Sequence, residues 1–493
     1  MKSNRNAAIR GIFPVLRVLG LLLMCFSATY VLPIVWSLAA RDHEHWDFLL
    51  AMAINFVLGF GLWLLTRRAR RDIHPREGFL LVTLSWLLMG ATATLPLMMT
   101  IDGLSFTDAM FETMSGLTTT GATVLTGLDR LSPSVNLWRH ELCWLGGMGI
   151  IVLAVAVMPL LGVGGMQLYK AETPGPLKDD KLTPRITQTA KSLWLVYAAI
   201  TALCALSYRI AGMSTFDAVC HAFATLALSG FSTHDKSFGY FNSPAIEIIG
   251  IVFMTLSAMN FATHFLAWKR GSVKAYWHDP EARAVVAVLA IASVGVAFFI
   301  WWQGVYPSYW TALRHVAFNL VSIATDCGFV SVDYDRWPVF APLVFLLLSC
   351  VVASSGSTGG GIKMIRTLIL FKQSGNEMFA LLHPNAVRVV KIGGRAIAPK
   401  VVMAVLGFIH LYSISVLVFT FLLLASGLDF LSAFSAIIAC INNAGPGLHV
   451  VGPTGNYGVL SGFQTWVCTA AMLIGRLEVF TVFVLFTPTF WRE

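Results

Sequence analysis

SGLTTTGAT, Ser115 to Thr123, lies between two apolar runs long enough to cross a bilayer, yet it carries four threonines, one serine and two glycines. Polar, non-helical backbone at membrane depth is tolerated only where protein shields it or where it lines a watery cavity. How this stretch is read therefore decides the fold. It ends a short semi-apolar segment, FTDAMFETMSGLTTTGAT (106–123), and three other segments share its form: FDAVCHAFATLALSGFST (216–233), LRHVAFNLVSIATDCGFVS (313–331) and LDFLSAFSAIIACINNAGPG (428–447). Asp108 precedes Gly121 by thirteen residues, and Asp217 precedes Gly230 by thirteen. Phe111 and Phe318 stand ten residues before their glycines, and Ser115 and Ser322 stand six before. The aligned glycines, Gly121, Gly230, Gly328 and Gly445, are 109, 98 and 117 residues apart, so the chain reads as four copies of one module.

The surroundings are those of a membrane protein. Of 493 residues, 57% are hydrophobic and 12% charged, and the mean hydropathy is +0.73, well outside the range of soluble domains. Ten apolar runs, near 11–39, 46–66, 78–100, 141–168, 192–212, 244–268, 282–303, 338–371, 400–426 and 459–490, are candidate membrane segments. The basic N-terminus precedes an apolar run of about 29 residues with no small-residue cleavage pattern, which reads as a retained first helix. Taking loops alternately, one set holds 25 of the 34 Lys and Arg residues and the other holds five, which predicts that both termini are cytoplasmic. Because these charges are divided among short loops, the net charge of +9 does not indicate a nucleic-acid partner. The eight cysteines form no C-x-x-C pair and read as small buried hydrophobes.

All four semi-apolar segments fall in outer loops. A helix of about 11 to 13 residues is too short to span, so each reads as a re-entrant hairpin, and four around one axis would make a pore. A half-helix ending inside the membrane directs its partial negative charge to the centre, which favours a cation there. Thr119, Thr120, Gly121 and Ala122 suit a filter in which consecutive backbone carbonyls replace an ion's hydration shell. The other copies keep only the glycine: Leu228, Ser229, Gly230 and Phe231; Asp326, Cys327, Gly328 and Phe329; Asn443, Ala444, Gly445 and Pro446. If carbonyls coordinate, side chains are free to vary while backbone conformation is not. The plainer reading, that each glycine packs helices, holds for any one of them and weakens when four recur at corresponding places.

SSGSTGGGIK (354–363) interrupts the apolar run 338–371, and its three consecutive glycines break a helix. Gly356 and Gly361 have the G-x-x-x-x-G spacing of a phosphate loop, but Ile362 stands where the lysine belongs and no strand precedes it. Arg476 sits inside the last apolar run, where an unpaired cation costs on the order of 3 kcal/mol. Glu478, two residues on, faces another side of the helix. A structural ion pair between helices is the alternative for Arg476. Arg139, His140, Glu141 and Glu112, near the outer ends, read as interfacial or filter-supporting.

SGLTTTGAT, WLGGMGIIVLAVAVMPLLGVGGMQLY (144–169), AETPGPLKDDKLTPRI (171–186), GFSTHD (230–235), GSTGGGIKMIR (356–366), NNAGPG (442–447) and GRLEVFTVFVLFTPTFWRE (475–493) together closely resemble the TrkH subunits of bacterial Trk potassium-uptake systems, in the Trk/Ktr/HKT superfamily. The resemblance covers essentially the whole chain. It implies an all-α polytopic membrane protein, with two N-terminal helices plus four helix–pore-loop–helix repeats forming one pseudo-fourfold pore per chain. The corresponding divisions are 1–70, 78–168, 192–268, 282–374 and 400–493. It also implies potassium as the transported ion, since family members with glycine at the first filter position are typically potassium-selective and those with serine there are associated with sodium. Potassium would cross the bacterial inner membrane through this filter, by a gated channel or by a proton- or sodium-coupled symporter.

The glycine-rich loop would be an intramembrane gate, formed by Gly359, Gly360 and Gly361 with Lys363 at its end and Arg476 projecting beneath the filter. A homodimer and a cytosolic nucleotide-binding TrkA ring on the basic inner loops are the implied partners, with NAD or ATP on that ring and no cofactor on this chain. Asp326 and Cys327 depart from the threonines common in the third filter. An acid there would either attract cations at the inner mouth or hydrogen-bond behind the filter. A secondary transporter of an organic solute would call for two inverted repeats, against the direct fourfold repeat. A membrane enzyme would need a nucleophile–base or metal cluster that no single loop supplies.

Overall fold

The computed structural model describes residues 2–69, 71, 73–149 and 186–491. The part of the 144–169 motif beyond Gly149, the basic loop from Lys170 to Arg185, and Arg492 lie outside the described residues.

An N-terminal hairpin comes first: α1 (Lys2–Ser27), continued through a 3-10 turn by α2 (Val31–Ala40), and α3 (His45–Thr66). In a bilayer helices associate through close packing of small residues, and here Gly20 meets Gly59. A methyl group on Gly20 would lie 2.6 Å from the Gly59 carbonyl oxygen, and one on Gly59 would lie 2.8 Å from that of Gly20. The hairpin is fastened to the next module by Tyr30, whose hydroxyl donates to the Thr92 carbonyl at 3.0 Å and whose ring lies 4.5 Å from that of Trp138.

Four modules follow. The first has α4 (Pro75–Thr100), the short α5 (Phe106–Leu117) and α6 (Pro133–Gly147). The second has α7 (Ile186–Ile210), the short α8 (Thr215–Ala227), and α9 (Pro244–Ser257) with α10 (Phe261–Arg270). After the small α11 (Lys274–His278), the third has α12 (Pro280–Trp302), the short α13 (Tyr309–Ala324), and α14 (Phe340–Ser349) with α15 (Met364–Leu382). A two-residue-per-strand antiparallel hairpin, β1 (Lys391–Ile392) and β2 (Arg395–Ala396), precedes the fourth. That module has α16 (Pro399–Ala425), the short α17 (Phe430–Asn442), and α18 (Gly462–Arg476) with α19 (Glu478–Phe483).

The four short helices begin and end alike. Their first turns are capped by a side-chain oxygen that accepts an otherwise orphaned N–H: Ser105 from Asp108, Ser214 from Asp217, Ser308 from Trp310 and Asp429 from Ser432. Each ends in a Schellman pair of hydrogen bonds. The N–H groups of Thr119, Leu228, Asp326 and Asn443 reach back three residues, and those of Thr120, Ser229, Cys327 and Ala444 reach back five.

Among the described residues, six of the apolar runs form helices long and apolar enough to cross a membrane. The runs 244–268 and 459–490 are not single straight helices: α9 and α10 meet at 97°, and α18 meets the segment Glu478–Phe486 at 105°. The first break is held by Asn260, which caps α10 by accepting from Ala262 N at 2.8 Å. At the second, Glu478 takes a left-handed φ of 55°. Hydropathy, which averages over a window, does not register either break.

Candidate ion pathway

The four glycines predicted to line a filter meet in cyclic order. A methyl group on Gly121 would lie 2.2 Å from Gly230 N, one on Gly230 2.7 Å from Gly328 O, one on Gly328 2.5 Å from Ala444 O, and one on Gly445 2.8 Å from Thr120 O. Modules one, two, three and four thus touch in turn and close a ring. Only a residue without a side chain fits these approaches. The backbone repeats as well: the residue two before each glycine, Thr119, Leu228, Asp326 and Asn443, has φ between 53° and 67°. Three of the glycines, Gly121, Gly328 and Gly445, also have positive φ, of 76°, 90° and 89°. Threonine and leucine rarely enter this region, so one conformation is imposed on four dissimilar sequences.

The side chains of these loops are buried and largely engaged behind the ring. Asn443 Nδ2 donates to Thr120 Oγ1 at 2.9 Å and to the Met472 carbonyl at 3.0 Å. Ser229 Oγ donates to Cys143 Sγ at 2.9 Å, Phe231 lies under the Arg139 guanidinium at 4.3 Å, and Phe329 packs on Phe238. Ala122 is buried beside Gly121, and Pro446 follows Gly445 at the open face. That face is a vestibule open to solvent and lined by all four glycines, Gly121, Gly230, Gly328 and Gly445.

A polar residue on each short helix secures the strand that follows its glycine. Glu112 accepts from Thr123 Oγ1 at 3.0 Å and Val124 N at 3.1 Å. His221 Nε2 pairs with Ser232 Oγ at 3.0 Å. Asn319 Oδ1 accepts from Ser331 N at 3.1 Å, and Ser435 Oγ accepts from Leu448 N at 2.8 Å. Glu112, His221 and Asn319 all lie nine residues before their glycines, so a polar position recurring in an apolar helix was the available signal. The fourth copy has Ala436 at that place and uses its neighbour. Tyr457, which no sequence pattern marked, joins the fourth copy to the first: its hydroxyl donates to the Gly445 carbonyl at 2.9 Å and its N–H to the Thr123 carbonyl at 2.9 Å.

Arg139 and Glu112, read from sequence as interfacial or filter-supporting, form a buried ion pair at 2.8 Å, with side chains at most 1% exposed. Breaking a buried pair by removing one partner leaves an uncompensated charge. Arg139→Ala is therefore expected to destabilise the protein by about 3 kcal/mol or more, read as a lower thermal midpoint in detergent. A loss no greater than that of an exposed pair would show that the pair does not brace the ring.

On the rim, His234 lies between two carboxylates, hydrogen-bonded through Nδ1 to Asp129 and with Nε2 3.3 Å from Asp217. Asp235 accepts from Gly127 N at 3.1 Å and Leu128 N at 3.0 Å, so the outer loops of modules one and two are tied together. Burial disfavours the imidazolium, but the hydrogen bonds and charges of Asp217 and Asp129 outweigh it and hold His234 above the ordinary 6.5. A raised value means that this contribution is complete below the unfolded pKa and is lost as pH rises through the folded one. Hydrogen exchange at residues 127–131 is expected to be slowest below about pH 6.5 and to speed up as pH is raised. Exchange independent of pH, after correction for its intrinsic rate, would contradict this.

The glycine-rich loop lies against the ends of the short helices. Thr358 Oγ1 donates to the Leu226 carbonyl at 3.0 Å, and Gly360 N donates to Asp326 Oδ2 at 3.1 Å. A methyl group on Gly360 would lie 1.8 Å from the Asn442 carbonyl oxygen, one on Gly359 3.1 Å from that of Thr325, and one on Gly361 2.8 Å from that of Ser349. The Asp326 carboxylate thus turns behind the ring of glycines toward the loop. Lys363 is 4% exposed and its ammonium donates to the Gly359 carbonyl. Arg476 donates to the Thr358 carbonyl at 2.9 Å, to Thr119 Oγ1 at 3.3 Å and to the Gly147 carbonyl at 3.1 Å, and also to that of Gly146. It therefore links the loop to the first module. Glu478 pairs instead with Arg366, at 2.8 Å.

Residues 44–492 match the family model TrkH, described as cation transport protein. The chain is 46% identical over 478 residues to the Trk system potassium uptake protein TrkH of Salmonella typhimurium, covering 97% of this chain and 99% of that one. It is 47% identical over 480 residues to the TrkH of Halomonas elongata, with the same coverage. The crystal structure of the potassium transporter TrkH from Vibrio parahaemolyticus superposes with a TM-score of 0.88 at 42% identity, covering 98% of this chain and all of that one. These relatives are transport proteins and not enzymes, and the fold, two N-terminal helices and four modules around one pore, is that of a multi-pass membrane transport protein. The chain belongs to the TrkH cation transport family.

Proposed function

We propose that this chain is the potassium-translocating subunit of a Trk-type uptake system, passing potassium through the ring of Gly121, Gly230, Gly328 and Gly445. The observation that carries the reading is that ring: four loops of unlike sequence share one left-handed backbone and touch in cyclic order. The carbonyls flanking the glycines, from Thr119 to Ala122 and their counterparts in the other copies, are the coordinating groups. The names of the relatives, potassium uptake proteins, support the choice of ion. Divisions at 78–168, 192–268, 282–374 and 400–493 then each contribute one quarter of the pore. An organic-solute transporter built on two inverted repeats is disfavoured by the direct order in which four modules of one form succeed one another around the ring.

Residues 354–363 act as a gate beneath the filter, with Arg476 as its lock: the guanidinium holds the Thr358 carbonyl and sets a positive charge near the pathway. The basic inner loops suit a cytosolic nucleotide-binding ring, and a homodimer with one pore per protomer, both termini cytoplasmic in the inner membrane, completes the proposed assembly.

The test is rubidium uptake by the purified protein in liposomes, with sodium as competitor. Uptake that excess sodium fails to suppress is expected; no uptake of either ion, or equal competition, would overturn the reading. Arg476→Ala is expected to raise basal rubidium flux severalfold, and unchanged flux would remove the lock.

A further inference from the structure

Glu281, in the first turn of α12, has no part in the pathway just described, yet it touches the loop twice. Its Oε1 accepts from Ser355 N at 3.0 Å and from Ile365 N at 3.1 Å, so one oxygen holds both ends of the segment 355–365. The side chain is buried, as is expected of a carboxylate whose polar partners are backbone N–H groups. The same loop lies along the break between α9 and α10. Ser354 N donates to the Ala258 carbonyl at 2.9 Å and Phe261 N donates to the Gly356 carbonyl at 3.0 Å.

The cytoplasmic side of that break is bound to Glu281 through its neighbours. Thr263 Oγ1 donates to Asp279 Oδ2 at 2.7 Å, and Asp279 Oδ1 accepts from Glu281 N at 2.9 Å. His264, whose ring pairs with the Tyr276 hydroxyl at 2.8 Å and the Leu256 carbonyl at 2.9 Å, fixes α11 to both arms of the break. The segment 261–281 is thus connected side chain by side chain to the loop, and it carries the basic residues Lys269, Arg270 and Lys274 at its exposed end.

We propose that Glu281 is a positioning residue of the gate: it holds the two ends of the loop to α12, so that displacement of 261–281 from the cytoplasmic side moves the loop. The inference rests on the reading of 354–363 as a gate. Bending at α9–α10 pulls on Ser354 and Gly356 through the backbone bonds and on Ser355 and Ile365 through Glu281. The filter ring, which Glu281 does not touch, keeps its spacing throughout. Loss of Glu281 therefore changes how much ion passes and leaves unchanged which ion passes.

Basal rubidium flux and the rubidium-to-sodium ratio are measured for the full chain in liposomes, as wild type, Glu281→Ala, Glu281→Gln and a chain lacking 359–361. Glu281→Ala is expected to raise basal flux about threefold or more, since two buried N–H groups lose their acceptor. Glu281→Gln, which retains an oxygen acceptor, should stay near wild type, and every point variant should keep the wild-type ion ratio. If the deletion raises flux while Glu281→Ala does not, this inference fails and the gate stands. If the deletion leaves flux unchanged, the gate reading itself fails. Equal elevation in both Glu281 variants would assign the hold to the carboxylate's charge and overturn the clamp, as would an altered ion ratio in either. Should Glu281→Ala not assemble, Thr263→Val cuts the tie one step upstream: raised flux at an unchanged ratio supports the proposal, and wild-type flux overturns it.

Discussion

Gly121→Ser is expected to lower the ratio of rubidium to sodium uptake by about tenfold, the equivalent of 1.4 kcal/mol. Two effects act together at this position. Its φ of 76° costs an L-residue roughly 1 kcal/mol, and its Cβ would sit 2.2 Å from Gly230 N, on backbone that has no way to rotate aside. The neighbouring loop must shift, and the carbonyl ring widens or tilts. A filter that substitutes carbonyls for a hydration shell discriminates by the number and placement of those oxygens, so displacing them costs most for rubidium, the ion whose hydration shell they replace. Gly103 supplies the control: its φ is also 76°, but nothing lies within 4 Å of the place a Cβ would take. Gly103→Ser should therefore share the backbone strain and keep the ion ratio. A ratio unchanged in Gly121→Ser, or equally changed in Gly103→Ser, would remove Gly121 from the filter.

Gly360→Ala should act on flux and not on selectivity, raising basal rubidium uptake by about tenfold. The added methyl would be 1.8 Å from the Asn442 carbonyl oxygen at the end of the fourth short helix, far inside contact distance. The helix end is fixed by Asn442 itself, whose amide donates to Ser349 Oγ at 2.9 Å and whose oxygen accepts from Tyr412 at 2.6 Å. The loop is the softer partner and must leave its seat, giving up the Gly360 hydrogen bond to Asp326. Gly375→Ala, in α15 with nothing within 4 Å, is the control and should leave flux at the wild-type level. Flux in Gly360→Ala equal to wild type would mean that the loop does not obstruct the pathway.

Much of the architecture was legible because membrane burial writes itself into composition. Apolar length marked the spans, and four glycines at corresponding places marked the modules. The conformation of the four glycine loops was not legible, since Thr119, Leu228, Asp326 and Asn443 share a left-handed backbone and almost no chemistry. Among them only Asp and Asn favour that region. Tertiary contact imposes it on the other two. The breaks at 258–260 and 477 were hidden for a different reason: hydropathy averaged over a window stays apolar across both, and the first break also meets a partner elsewhere in the chain. At the first break that partner is the loop beginning at Ser354. Arg476 resisted reading because its acceptors include backbone carbonyls, which no residue pattern announces. Asp326 left two orientations open, and it is the Gly360 N–H that draws its carboxylate behind the ring of glycines. Glu281 gave no signal at all: an acid in the first turn of a helix is ordinary, and only the fold brings Ser355 and Ile365 to one oxygen.

Rubidium located by its anomalous scattering, in crystals grown with rubidium in place of potassium, addresses the pore directly. Peaks are expected on the axis enclosed by Gly121, Gly230, Gly328 and Gly445, ringed by the carbonyls of Thr120, Ser229, Cys327 and Ala444, and absent when sodium replaces rubidium. Ordered rubidium elsewhere with none inside that ring would contradict the assignment of the four loops as the filter.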